Sequence, residues 1–446
     1  MSNSRSFDVI IVGAGISGLS AAAALKHRGL SVLVLEARSR LGGRIQSTRA
    51  ANGLTIDLGA QLIGDGQSRI SRMVDRFGLT RVPLPSSGWA AYMNAKTKQV
   101  VYDKDDALPL SALGKLDALQ MMWRVDSRLR SFRNDLDTLD RVSAAAFIED
   151  VGFTDEAIEA FLGYAESEMC SSPDLFSAYE LLDQLTSVGG TDGEADSAQW
   201  CLKEGMSAVI DGLAIPVLAN VKLNSPVNAI NASPDGYVVS TAGDDFRAKR
   251  LLVTVPPQLY GRLGMKHLLS AERRSAIEGY VQGSVVKTIL VFQEPWWRER
   301  GASGRGLSQG GMFGSVIDAS PADGSAGILV IFSTASWAKR LQKIEDTKSR
   351  VEAALRWLAD LAGQEVPRPI DAFSVDWSAD PWALGGYASR RGVGGWLNSP
   401  ELFHPHNGIH FAGSETADEW RSFAEGALQS AERATLEIEG SGVLRG

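Results

Sequence analysis

Two stretches of this sequence hold residue types at spacings that can do chemistry. In the first, Gly13, Gly15 and Gly18 give G-x-G-x-x-G directly after a short apolar run, residues 7–12, rich in β-branched side chains. The first glycine permits a sharp turn, the second lets backbone amides approach a pyrophosphate, and the third allows a helix to pack close to the strand. Alanine-rich residues 17–28 supply that helix, whose unpaired N-terminal N–H groups and dipole favour negative charge. A second apolar strand, residues 31–35, ends in Glu36, placed to accept hydrogen bonds from a ribose. In the second stretch, residues 283–298, Lys287 shares a strand face with Val285, Ile289 and Val291, while Val286, Thr288, Leu290 and Phe292 point the other way. Both faces are largely apolar, so Lys287 is expected in an interior; an edge strand with a snorkelling lysine is the alternative.

These residues must be positioned by ordinary elements. After Glu36, the paired glycines Gly42 and Gly43 expose backbone amides beside Arg44, whose guanidinium can fork onto phosphate oxygens. Residues 68–77 read as a helix and 89–102 as a hairpin. Residues 113–133, 142–150, 155–169 and 174–188 read as helices, a block expected to cover the site that the α/β part creates. On the third of these, Phe161, Tyr164, Ala165 and Glu168 share a face, so Glu168 ends an apolar face with a carboxylate. An acidic loop, 192–196, precedes a helix over 207–218, a strand over 227–231, a hairpin at Asp235-Gly236 and a strand over 250–255. Further strands are expected at 328–333 and 370–377, with a helix over 349–362 between them, and the last strand, 408–413, leads into a helix ending near 437.

With 446 residues, 44% hydrophobic and 22% charged, the chain has the composition of an ordinary soluble protein of two or three domains. Its net charge of −8 argues against a nucleic-acid or anionic-membrane surface. No uncharged apolar run approaches a membrane span, and the polar residues 1–6 lead straight into the first strand. Two cysteines, Cys170 and Cys201, make no disulfide framework, and two buried thiols in a reducing cytoplasm are expected. The five histidines show no H-x-x-x-H spacing, so no metal site is expected.

Glu36 with Gly42-Gly43-Arg44, then Asp57-Leu58-Gly59-Ala60-Gln61, Gly283 to Trp297, and Trp377 to Gly426 together resemble the flavin-containing amine oxidases, the monoamine and polyamine oxidase group. The glycine loop alone does not choose between NAD and FAD; the resemblance implies FAD. It implies a Rossmann-like FAD-binding domain with an inserted α+β substrate domain, expected as 1–80, 203–283 and 395–446 for the first and 81–202 and 284–394 for the second. Gly13, Gly15, Gly18, Glu36, Arg38, Gly43, Arg44, Val227, Trp377, Gly413 and Glu415 match cofactor-contacting positions. Lys287 matches the lysine that reaches flavin N5 through a water. Gln61, Glu168, Tyr387 and Phe423 match positions lining the substrate cavity, the last two as walls of an aromatic cage. Gly386 stands where monoamine oxidases carry the cysteine bonded to flavin, so the FAD is expected to be non-covalent. The chain ends soon after the last helix, so the membrane anchor of the mitochondrial enzymes is not expected.

The activity implied is hydride transfer from the amine α-carbon to flavin, giving an imine, with O2 reoxidation to H2O2. The partners are then a small amine and O2, without nucleic acid or membrane, and a homodimer stays open. A secondary cyclic amine such as (S)-6-hydroxynicotine is the single substrate named. Primary amines, diamines and L-amino acids, the last requiring a cavity arginine such as Arg390 or Arg391, stay open. So does a dehydrogenase or desaturase using another acceptor.

Overall fold

The strand Ser6–Val12 lies at the centre of a seven-stranded sheet in the computed structural model, which describes residues 6–85, 87–94, 97–104, 109–195, 197–398 and 402–440. Residues 1–5 of the polar start and Asp196 of the acidic loop lie outside the described residues. Parallel neighbours flank the strand: Val32–Leu35 on one side and Asp245–Val253 on the other. Beyond them stand Val221–Lys222, the hairpin Ala229–Ser233 with Gly236–Ser240, and Ile409–Phe411. All-parallel central strands are covered on both faces, which is why Val9, Ile10 and Ile11 are fully buried. The helices Ile16–His27 and Ala424–Ile438 share one core with Val9, Ile11 and Val34. First and last elements of the chain thus build one layer.

A second seven-stranded sheet runs in the order Asp371–Asp376, Val285–Phe292, Gly327–Thr334, Ser315–Asp318, Ala302–Gln309, Trp89–Asn94, Val100–Asp103. On Val285–Phe292 the expected alternation holds. Val286, Leu290 and Phe292 enter the core under the helix Thr347–Ala362, while Ile289 and Val291 pack with Ile56 and Leu58 on the other face. The helical block Ala112–Leu129, Ala144–Val151, Asp155–Met169 and Ala178–Ser187 has its own core around Met121, Phe147, Phe176 and Leu182.

Several expectations need correction. The strands Ala302–Gln309 and Ser315–Asp318 were not anticipated, because glycine and serine break their alternation. The acidic loop is partly a short helix, Gly190–Ala195. The helix expected over 207–218 stops at Ala214 and continues as 3-10 turns through Asn220, with Pro216 unable to donate to an α-helical ladder. Val227 lies in the loop ahead of its strand rather than on it.

Candidate active site

Each glycine of the first loop does a distinct job. Gly13 has φ +106°, a left-handed conformation that other residues rarely adopt. A Cβ on Gly18 would lie 2.1 Å from the Gly13 carbonyl oxygen, so this close strand–helix approach admits only glycine. A Cβ on Gly15 would meet nothing within 4 Å, which leaves open space in front of the helix Ile16–His27. That helix has no side-chain cap and no acidic residue in its first turn, so its leading N–H groups face the space unneutralised. The cradle fits a pyrophosphate.

Glu36, buried, accepts from the Ala14 amide at 2.7 Å and the Arg38 amide at 2.9 Å, one on each carboxylate oxygen. Each oxygen keeps lone-pair capacity for a further donor. Arg38 pairs with Asp380 at 2.6 Å, and its Nε is buried without a partner, an orphan donor beside the ribose-type carboxylate. The Glu36 carbonyl takes the Ser225 amide at 2.8 Å, which brings the loop carrying the buried Val227 to this end.

Farther along, Gly43 (φ +61°) precedes Arg44, which forks onto Glu415 at 2.7 and 2.9 Å, and also donates to the Tyr387 carbonyl at 2.7 Å. Burial alone would raise the Glu415 carboxyl; the Arg44 guanidinium overrides it and holds it below the usual range. Gly413 (φ +128°) introduces Glu415 and gives its amide to Ser430 at 2.9 Å.

Lys287 is buried, and its Nζ donates to the carbonyls of Asp57 (2.6 Å) and Gly59 (2.9 Å) and to Gln61 Oε1 (2.8 Å). Burial pushes its pKa down to about 8, against the opposing pull of the buried Asp57 carboxyl. The Trp377 indole N–H donates to the Leu58 carbonyl at 3.0 Å, so residues 57–61 join the lysine to the tryptophan. Lys287 Nζ also stands 5.6 Å from the Phe332 ring centre, and Phe332 meets Tyr387 edge-on at 6.2 Å. Phe332 was missed by sequence reasoning, although the strand register sets it directly opposite Lys287.

Tyr387, joined to Gly386 by a cis peptide bond, gives its amide to Cys170 Sγ at 3.3 Å. Burial raises the phenol of Tyr387 well above its ordinary value and pushes the Cys170 thiol up to about 12. The Glu168 carboxylate acts electrostatically on both, and its own carbonyl accepts from Arg390 at 3.3 Å. Phe423 precedes the helix Ala424–Ile438 and packs edge-on against Trp420 at 5.5 Å. The structure therefore gathers Lys287, Gln61, Trp377, Tyr387, Glu168, Arg44 and Glu415 through shared contacts. Phe423 makes its ring contact with Trp420, and Tyr387 with Phe332.

Arg390 and Arg391 are both engaged by neighbouring groups of the protein. Arg390 is 2% exposed and donates to the carbonyls of Met169 (3.1 Å) and Glu168 and to Gln184 Oε1 (3.0 Å), closing the C-terminal end of the helix Asp155–Met169. Arg391 stacks 3.9 Å from the Trp396 ring centre. Among the described residues there is no helix long and apolar enough to cross a membrane and no cluster of metal-ligating side chains.

The sequence profile of the family described as flavin containing amine oxidoreductase matches residues 16–438. Flavin-containing amine oxidase A of Equus caballus is 26% identical over 97% of this chain and 85% of its own length. A putative flavin-containing monoamine oxidase, AofH, of Mycobacterium tuberculosis is 28% identical over 97% and 96%. An L-amino acid dehydrogenase of Synechocystis is 28% identical over 99% and 96%. Among solved structures, putrescine oxidase bound to putrescine superposes with a TM-score of 0.90 at 26% identity, covering 98% of this chain and 99% of that one. Together with a glycine cradle, a buried carboxylate at the end of the second strand and a buried lysine in the second sheet, these matches place the chain in the flavin-containing amine oxidoreductase family, as an FAD-dependent amine oxidase.

Proposed function

We propose that FAD lies non-covalently along the path from Gly13 to Lys287. Gly13, Gly15, Gly18 and the following helix N-terminus would hold the pyrophosphate, Glu36 and Arg38 the ribose, and Val227 the adenine side. Gly43, Arg44, Gly413, Glu415 and Trp377 would hold the flavin end, and Gln61, Glu168, Tyr387 and Phe423 would line the substrate cavity. The cofactor layer comprises 1–80, 203–283 and 395–446, and the substrate layer 81–202 and 284–394. Gly386 offers no thiol, and Cys170 beside it stays a protonated thiol at neutral pH, which supports a dissociable cofactor.

FAD held there would supply two-electron redox chemistry, with a hydride taken from the amine α-carbon and O2 reduced to H2O2. The chain's own residues position the amine, exclude water and handle protons. Below pH 8 the Lys287 ammonium spends its three protons on Asp57, Gly59 and Gln61; above it the amine has a lone pair and can take up a proton. Tyr387 keeps its phenol proton throughout.

The substrate is a compact neutral amine carrying a second polar group, and the observation behind this reading is the position of Glu168 at the end of the helix Asp155–Met169, two residues before Cys170, whose sulfur accepts the Tyr387 amide. A cyclic secondary amine such as (S)-6-hydroxynicotine is the first substrate to try. The same carboxylate favours a diamine as the second reading, in line with the putrescine oxidase likeness. An α-carboxylate finds no support, since the guanidinium of Arg390 closes a helix end and that of Arg391 lies over Trp396. Anaerobic mixing with (S)-6-hydroxynicotine, putrescine, a primary monoamine and an L-amino acid tests this. Bleaching of the flavin band by one of the first two is expected; bleaching by the L-amino acid alone would overturn it.

A further inference from the structure

The helix Ala178–Ser187 buries four of its polar side chains as completely as its apolar ones. Glu180, Asp183, Gln184 and Ser187, spaced i, i+3, i+4 and i+7, form one stripe, and each is at most 9% exposed. All four engage the turn that leads into Phe423. Asp183 pairs with Arg421, and Glu180 lies 3.8 Å from the same guanidinium. The Ser187 carbonyl takes the Trp420 amide at 2.7 Å and its hydroxyl takes the Arg421 amide at 3.3 Å. Gln184 Nε2 donates to the Arg421 carbonyl at 3.0 Å, and its Oε1 accepts from Ser422 Oγ at 3.4 Å.

The turn needs such holding. Trp420 (φ +50°) and Ser422 (φ +74°) are both non-glycine residues in left-handed conformation, which persists only where surroundings over-determine it. Gln184 Oε1 also accepts from Arg390, three residues after Tyr387, and Arg390 in turn holds the Glu168 and Met169 carbonyls. A single amide therefore ties together the segments bearing Phe423, Tyr387 and Glu168.

We infer that Gln184 is a positioning residue that sets the spacing of the substrate cavity and so the size of amine accepted. The inference rests on the reading that Tyr387, Phe423 and Glu168 line that cavity. Without the amide, the strained turn relaxes and Phe423 shifts relative to Tyr387, while the cofactor cradle at the other end of the fold is untouched.

The test compares the FAD-loaded wild type with Gln184→Met, Gln184→Glu, Tyr387→Ala and Phe423→Ala on a series of amines of increasing bulk. Gln184→Met should raise KM for the preferred amine about tenfold and flatten the preference across the series, with flavin content retained. Gln184→Glu, which keeps acceptors for Arg390 and Ser422, should lie between it and the wild type. If both alanine variants leave KM unchanged, the cavity reading fails and the inference with it. If they raise KM while Gln184→Met lowers only the melting temperature, or lowers kcat equally for every amine, the inference alone is overturned.

Discussion

The two ends of the proposed cofactor path are built by different means. The pyrophosphate end is one continuous segment, Ser6 to Glu36, whose donors are backbone amides set by three glycines and a helix. The proposed reacting end is collected from residues 57–61, Cys170, Lys287, Phe332, Trp377, Tyr387 and Glu415, held by buried side-chain contacts across long sequence separations. A backbone-built site recognises a group common to many nucleotides and tolerates little change. A side-chain-built site can be re-spaced by single substitutions, which suits the part that chooses substrate.

That contrast can be broken at either end. The largest effect should come from Gly18→Ala, whose methyl would face the Gly13 carbonyl at 2.1 Å with only backbone to move. We expect flavin-free or insoluble protein, whereas Gly15→Ala, with nothing within 4 Å, should leave the apoprotein melting temperature unchanged and weaken only FAD affinity. Equal melting temperatures for the two apoprotein variants would remove the distinction between packing glycine and cradle glycine.

Arg44→Met should cost about 3–5 kcal/mol, because the Glu415 side chain, 2% exposed, loses its bidentate partner. Denaturant unfolding of the holoenzyme reads this, and a loss below about 1 kcal/mol would show that water already serves the pair. Glu168→Gln should raise KM roughly tenfold for an amine with a second polar or cationic group and leave a simple monoamine nearly unaffected. A uniform change across both would take Glu168 out of substrate choice. Smallest of all, Cys170→Ala should leave FAD release by acid precipitation unchanged from the wild type. Flavin that stays with the wild-type precipitate, and not with the variant, would mean a covalent link through this thiol.

The same contrast explains what could be read from the sequence. The glycine loop, its helix and Glu36 were legible because their causes are local. Lys287 was legible too, since one charge in a strand apolar on both faces has few explanations. The strands at 302–309 and 315–318 were hidden by glycine and serine, and only pairing with neighbours stabilises them. Arg390 stood open as a cavity cation in the sequence, and its contacts with the carbonyls that end a helix could not be read there. Glu180, Asp183, Gln184 and Ser187 would pass for a solvated helix face. Their burial depends on a turn more than 230 residues later, which no window along the chain contains.

The most direct test is the rate of anaerobic flavin reduction by a preferred amine, followed by stopped flow from pH 6 to 10 in the wild type and in Lys287→Met. Burial lowers the Lys287 pKa to about 8, so the proton-accepting amine is absent below that pH and present above it. In the wild type the rate should therefore rise through an inflection near pH 8. In Lys287→Met that inflection should vanish and the rate at high pH should fall by roughly 10²-fold, with FAD still bound. An unchanged inflection and rate in the variant would contradict the placement of Lys287 at the reacting end.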